Sequence, residues 1–408
     1  MPRTLDPVDE AASIGRRIAR ARKMRENPLT QDGLARIVPC SKSLIAQVER
    51  GHKPATPALV AAVARALSID VTELTGQPYG AGNGHPPDRI HAAIPQIRQA
   101  LVYWDVPPAL GRPPRPLAEL AQVDRRVGHL RSQAGYTELG ALLPGLIKEL
   151  TVHAHQDGTR DRERAFRLLA DAYTAVDSMA YKLGYMDLFA LAVERMAWAA
   201  DRSDDPLLRP VAAMRRSSAF MATGAWEGGL ALLDRAGRAV DADAAPDLAA
   251  LSVLGTVHLR AAVMAARGGM TATAWEHAGY AREIAGRLGR DTKDYGLLFG
   301  PTNTSIHEVA IAVELGDGDE AVRRGKDLVL PADLPAERSS HHYIDLSRAW
   351  LWQGNTDRAL ACVAEADRLA PQRTRYHPMA RETVMRLLDL RRRVPEQLRI
   401  LAVRMGMS

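Results

Sequence analysis

LTQDGLARIVPCSKSLIAQVERGHKPATPALVAAVARALSIDVTELTG, Leu29 to Gly76, decides how the rest of the chain is read. Thr30 caps a helix whose apolar positions are Leu34 and Ala35, and that helix stops at Pro39. A second helix follows Ser41, another good N-cap, with Leu44, Ile45 and Val48 on its inner side. Lys42, Ser43, Ala46, Gln47 and Arg50 are left facing outward, and Gly51 ends the helix. Thr56 then caps a helix with Leu59, Val63, Ala66 and Leu67 inward, and Asp70 caps a short one with Val71 and Leu74. Upstream, Ser13 to Arg25 is amphipathic, with Ile14, Ile18 and Ala21 on one stripe and Arg16, Arg17, Arg20 and Lys23 around the other side. The pattern predicts a five-helix unit over residues 10–76.

The outer face of the second of these helices carries a cation, a hydroxyl and an amide. Base edges in a major groove require that chemistry, since Lys reads guanine acceptors and Gln pairs bidentately with adenine. A merely solvated face is usually richer in acids. Charge is distributed to match. Between Ile14 and Lys53 stand ten Arg or Lys against Glu26, Asp32 and Glu49, a local charge of +7 in a chain whose total is +6. The basic excess therefore sits on this one unit, as phosphate neutralisation demands.

These residues resemble the DNA-binding domain of XRE-type helix-turn-helix regulators, the lambda-repressor-like group. The resemblance rests on TQ-x-x-LA at the first helix, S-x-x-x-I-x-x-V-E-x-G at the second, the basic-Pro turn after it and the closing LSIDVTEL. It implies that Lys42, Ser43 and Gln47 read bases, that Gln31, Arg50 and Lys53 contact phosphates, and that Arg22 pairs with Glu49 as a structural couple. The sequence departs from the family at Pro39 and Cys40, where a glycine is usual, at Gly33, which costs about 1 kcal/mol relative to Ala, and in a longer MRENPLT connection.

GQPYGAGNGHPP, residues 76–87, is too rich in Gly and Pro for helix or strand, so a flexible linker is expected at 77–87. A helix is expected from about Asp88 to Trp104, and then VPPALGRPPRPL, read as a rigid turn rather than a polyproline ligand. From Leu117 onward the pattern is almost unbroken helix. Gly224, Gly269, Gly316 and Gly354 are each followed five residues later by a small residue and six later by an apolar one, with Gly184 a looser copy. Repeats about 40 residues long are helical hairpins that must stack on their neighbours to bury their apolar sides. GNTDRALACVAEADRLAP, Gly354 to Pro371, resembles the second helix of a tetratricopeptide repeat. The expected fold is therefore all-α, with a helix-turn-helix domain followed by a tetratricopeptide-like α-solenoid at 88–408, as in the actinobacterial-type XRE regulators. In related regulators such an array dimerises and binds a signalling peptide in its groove.

Within the array, GPTNTSIHEVAIAVELGD from Gly300 places Asn303 and His307 one turn apart, downstream of Tyr295 and Phe299. Two readings fit: Tyr295, Asn303 and His307 as a polar grip on an effector inside aromatic walls, or an interhelical hydrogen bond between semi-buried side chains. His153, His155 and Asp157 lie at i, i+2 spacing, which does not share a helix face, so no metal is expected. His341 and His342 read as a solvated helix start, Cys40 as a small buried thiol more than a redox switch, and Trp226 and Trp275 as core.

No nucleophile elbow, Walker loop, GxGxxG after a strand or HExxH is present, so neither catalysis nor a cofactor is expected. Two cysteines fit a reducing compartment, MPRTLDPVDE does not read as a signal peptide, and no apolar run is seen to approach the ~20 residues of a membrane helix. The expectation is a cytoplasmic, nucleoid-associated homodimer that binds a double-stranded DNA operator and responds to a peptide or small-molecule effector. The alternative is a protein-interaction scaffold whose helix-turn-helix does not bind DNA.

Overall fold

The computed structural model describes residues 13–25, 27–38, 40–79, 89–156, 158–240, 247–391 and 393–407. Among them every regular element is a helix, apart from an isolated bridge between Thr292 and Phe299 and a 3-10 turn at Asp294–Gly296. The N-terminal unit contains α1 (Ile14–Lys23), α2 (Gln31–Ile37), α3 (Lys42–Glu49), α4 (Pro57–Leu67) and α5 (Val71–Thr75). Each begins at a side-chain cap. Ser13, Thr30, Ser41 and Thr56 accept from the backbone N–H of Arg16, Gly33, Leu44 and Leu59, and Asp70 forms a capping box with Glu73. Such caps contribute about 1 kcal/mol each, which short helices need. The helices close over Ile18, Leu34, Ile45 and Val63, all fully buried.

Of the expected linker, Gln77 to Tyr79 are described, and residues 80–88 lie outside the described residues, as does Pro39. Tyr79 is buried and donates its hydroxyl to the Thr75 carbonyl at 2.7 Å. The helix expected over 88–104 is divided into α6 (Arg89–Ala92) and α7 (Ile94–Val102). Pro95 falls in the first turn of α7, where a missing N–H costs nothing, and so marks a restart rather than an interior.

Six hairpins follow among the described residues: α8 (Leu117–Ser132) with α9 (Tyr136–Ala154), α10 (Thr159–Leu183) with α11 (Met186–Ala200), and α12 (Leu208–Thr223) with α13 (Trp226–Arg238). The others are α14 (Leu248–Arg267) with α15 (Thr271–Leu288), α16 (Pro301–Glu314) with α17 (Gly318–Gly325), and α18 (Ala336–Trp352) with α19 (Thr356–Leu369). The chain ends in α20 (Pro371–Tyr376), α21 (Pro378–Leu390) and α22 (Glu396–Arg404). The five glycines of the repeat, Gly184, Gly224, Gly269, Gly316 and Gly354, all occupy the left-handed turn between paired helices, with φ from 70 to 87°. The small residue five positions on lies where the pair touches. Ala274, Ala321 and Ala359 are fully buried, and a Cβ on Gly229 would sit 3.0 Å from Phe220 Cβ of the paired α12.

One sequence expectation fails here. Helix α14, LAALSVLGTVHLRAAVMAAR, is by length and composition apolar enough to cross a membrane. It is so apolar because it is a core helix, with Leu259, Ala262, Met264 and Ala265 fully buried between neighbours.

The array curls back on itself. Helix α8 packs against α18, Arg131 Nη2 donates to the Gly296 carbonyl at 2.6 Å, the Thr137 N–H donates to Gln372 Oε1 at 3.1 Å, and Lys182 pairs with Glu337 at 2.7 Å. The N-terminal unit lies across the enclosed space. Its α1 meets α21, where the Ile14 N–H donates to Glu382 Oε2 at 3.2 Å, and its α4 meets α12, where Arg65 Nη1 donates to the Gly224 carbonyl at 3.0 Å. Gln77 Nε2 adds a bond to the Lys182 carbonyl. The apolar core of α1–α5 is continuous with that of the last helices, from Val309 to Met405.

Candidate nucleic-acid interface and interior cavity

Helix α3 exposes Lys42 and Ser43 to solvent and leaves Gln47 half-exposed one turn further on, where Gln47 Nε2 donates to Ser43 Oγ at 3.2 Å. Ile45 and Val48 anchor the opposite face in the core. Arg50, the C-cap of this helix, and Lys53 are exposed beside it. Arg16, Arg20, Lys23 and Arg36 are also exposed, so the surface of the unit is strongly cationic.

The helix is braced from behind by a buried couple. Arg22 Nε and Nη2 donate to Glu49 Oε1 and Oε2 at 2.7 and 2.8 Å, with side chains only 8% and 5% exposed, and Arg22 Nη1 donates to the Leu29 carbonyl. This bidentate geometry ties α1 to α3. Burial alone would raise the Glu49 carboxyl, but Arg22 and Gln31 hold it below the ordinary carboxylate value. Gln31, expected on a phosphate, donates its Nε2 to Glu49 Oε2 at 2.7 Å and is the third member of this cluster. Cys40 is half-buried against the same core, and burial pushes its thiol up, away from the thiolate that redox chemistry uses.

Residues 13–75 match a family model described as helix-turn-helix domain. The N-terminal unit is a helix-turn-helix domain. No curated protein matches the chain. Among solved structures, the crystal structure of Bacillus thuringiensis PlcR in complex with the peptide PapR7 and DNA aligns with 86% of this chain and 99% of that one. Identity is 14% and the TM-score 0.30, too loose a superposition to transfer any position.

Between the helix-turn-helix domain and the curled array lies a partly open cavity of about 370 Å³. Asn303 and His307 line it, whereas Tyr295 does not. Tyr295 turns away to donate its hydroxyl to Asp205 Oδ1 at 2.9 Å, under the Arg167 guanidinium, and Phe299 is buried against Gly255 of α14. Asn303 Nδ2 donates to the Leu298 carbonyl at 2.6 Å, leaving its buried Oδ1 without a partner among the described residues. His307 Nδ1 donates to the Asn303 carbonyl at 2.8 Å, and burial beside Arg338 pushes the ring down to about 3, so it is neutral.

His341 and His342 are not a solvated helix start. They face the interior of α18: His342 is 1% exposed, and His341 Nδ1 accepts from Arg373 Nη2 at 2.7 Å in the cavity wall. His153 and His155 bond to the carbonyls of Arg115 and Thr151, and Asp157 lies outside the described residues. Among the described residues no group of three His, Cys, Asp or Glu could hold a metal.

Sequence reasoning missed the cationic wall of the cavity. Its signal was present in α14, whose only formal charges are Arg260 and Arg267 in an otherwise apolar run, and both line the cavity. A charged residue on a buried apolar helix is expensive and therefore informative.

Proposed function

We propose that the chain is a sequence-specific, DNA-binding transcriptional regulator, with α3 as the recognition helix. The observation that carries this reading is the exposed Lys42, Ser43 and Gln47 face on a helix fixed from behind by Arg22 and Glu49. Lys42, Ser43 and Gln47 read base edges, while Arg50 and Lys53 sit on phosphates. Gln31 holds Glu49 rather than the backbone of the DNA. The protein acts as a homodimer that offers two recognition helices to half-sites about 34 Å apart. The tetratricopeptide-like array dimerises and receives a peptide or small-molecule effector, and no catalytic role is assigned. A cytoplasmic, nucleoid-associated location follows from this role.

A gel-shift salt series tests the reading. Log affinity should fall by about 0.9 per neutralised phosphate per unit of log salt. The Lys42→Ala, Gln47→Ala double variant should lose preference among operators while keeping much of its nonspecific affinity. A flat salt response in the wild type would refute DNA binding and leave the scaffold role.

A further inference from the structure

The lining of the cavity is rich in positive charge. Seven cations and three carboxylates line it, while Asp124 and Asp171 act on Arg131, and Asp345 on Arg338, from outside the lining. Lys182 and Arg373 share Glu337, Arg267 pairs with Glu314 at 3.2 Å, and Arg215 stands 3.8 Å from Asp177. The remaining three, Arg131, Arg260 and Arg338, form no ion pair with any described residue. They come from α8, α14 and α18, elements far apart in sequence that the curl of the array brings to one space. Burial, and next Arg215, push the Arg131 and Arg260 guanidiniums down to about 10, which leaves both cationic at neutral pH. Buried polar atoms on the same wall, Arg215 Nε, Arg338 Nε and Asn303 Oδ1 among them, have no hydrogen-bond partner among the described residues.

A half-buried cation without a direct ion-pair partner is unfavourable unless something else supplies one. The rest of the wall indicates what that is. The side chains contributed by α4 and α11, namely Pro57, Val60, Ala61, Met186 and Phe189, are all apolar. The space is therefore cationic on the sides made by α8, α14 and α18 and apolar on the sides made by α4 and α11. Its volume falls at the lower end of small-molecule sites.

We propose that this cavity binds a compact organic polyanion, a molecule with two or more phosphate or carboxylate groups on a small apolar body. Helices α4 and α5 of the helix-turn-helix domain form part of its wall, so the occupied cavity fixes that domain on the array. This coupling rests on the DNA-binding reading above, whereas binding in the cavity does not.

The test uses the full chain at fixed ionic strength, with inorganic pyrophosphate and citrate as probes and a neutral polyol as control. One or both anions should bind once per chain and raise the Tm by about 4 °C or more, and which of them does so tells phosphate from carboxylate recognition. The shift should persist in Lys42→Ala, Gln47→Ala and weaken at least about tenfold in affinity in Arg260→Met, Arg338→Met, whose empty form should itself melt higher. No shift with either anion, or an undiminished shift in Arg260→Met, Arg338→Met, overturns the proposal. Hydrogen exchange on the wild type needs no variant: pyrophosphate or citrate should slow exchange in α4, α14 and α18. Slowing confined to α3 would place the anion on the DNA-binding face and overturn it. An unchanged DNA affinity on addition of a bound anion would refute the coupling alone.

Discussion

At the scale of single residues, Arg22 and Glu49 bear the heaviest consequence for stability. Both are nearly excluded from water, and each satisfies the other through two short hydrogen bonds. Removing one member leaves a buried charge unpaired. Glu49→Ala should therefore destabilise the helix-turn-helix domain by about 3 kcal/mol or more, read by urea unfolding. Because the Glu49 carboxyl is held below 4.5, its contribution is present above that pH and is lost as the pH falls through the lower folded value. His307 acts in the same direction over a different window. Its ring is pushed from 6.5 to about 3, so the unfolded chain takes up a proton that the folded chain refuses. Stability should decline as the pH drops below about 6.5, and His307→Asn should shallow that decline in a pH series of melting temperatures. A wild-type melting point unchanged between pH 7 and 5 would refute it.

At the scale of elements, the hairpins separate two effects that a glycine can have. Gly354 sits at φ 76° with nothing within 4 Å of an added Cβ, so Gly354→Ala meets only backbone strain and should cost about 1 kcal/mol. Gly229 is helical, and its Cβ would strike Met264 Sδ, so Gly229→Val should cost more, about 2 kcal/mol, through overpacking between α13 and α14. Equal melting temperatures for the two variants would contradict this division. The same elements show what was legible in advance. Ser13, Thr30, Ser41, Thr56 and Asp70 are local signals whose partners lie two or three residues away, so helix starts could be read directly. The turn glycines were legible because they recur. Helix α14 misled because an apolar composition does not say whether lipid or protein covers it. Arg131, Arg260, Arg338 and Arg373 could not be grouped from sequence, because only the curvature of the whole array makes them neighbours. The ring contact of His341 with His377 and the hydrogen bond from Arg373 to His341 were hidden for the same reason.

At the scale of the whole molecule, the helix-turn-helix domain is not an independent bead. Its core runs on into the last helices, it is pinned at Glu382 and at Gly224, and Gln77 just after it is held at Lys182. A fragment ending at Gly76 would expose Ile14 and α4 surfaces that the array covers. It should melt lower than the full chain and bind operator DNA more weakly, as measured by calorimetry and gel shift. Arg65→Ala should loosen the α4 contact without touching α3, and faster hydrogen exchange in α4 with unchanged exchange in the α18–α19 hairpin would be its signature.

The return of α8 onto α18 also bears on how such a chain can change over time. An open stack of hairpins tolerates gain or loss of a unit, since each touches only its neighbours. Here cross-array contacts bind units that are not neighbours: a hairpin inserted between α11 and α15 would pull Arg131 away from Gly296 and Lys182 away from Glu337. Duplication of a repeat within that span, the ordinary route by which arrays lengthen, would therefore cost these contacts, whereas substitution within the existing units would not.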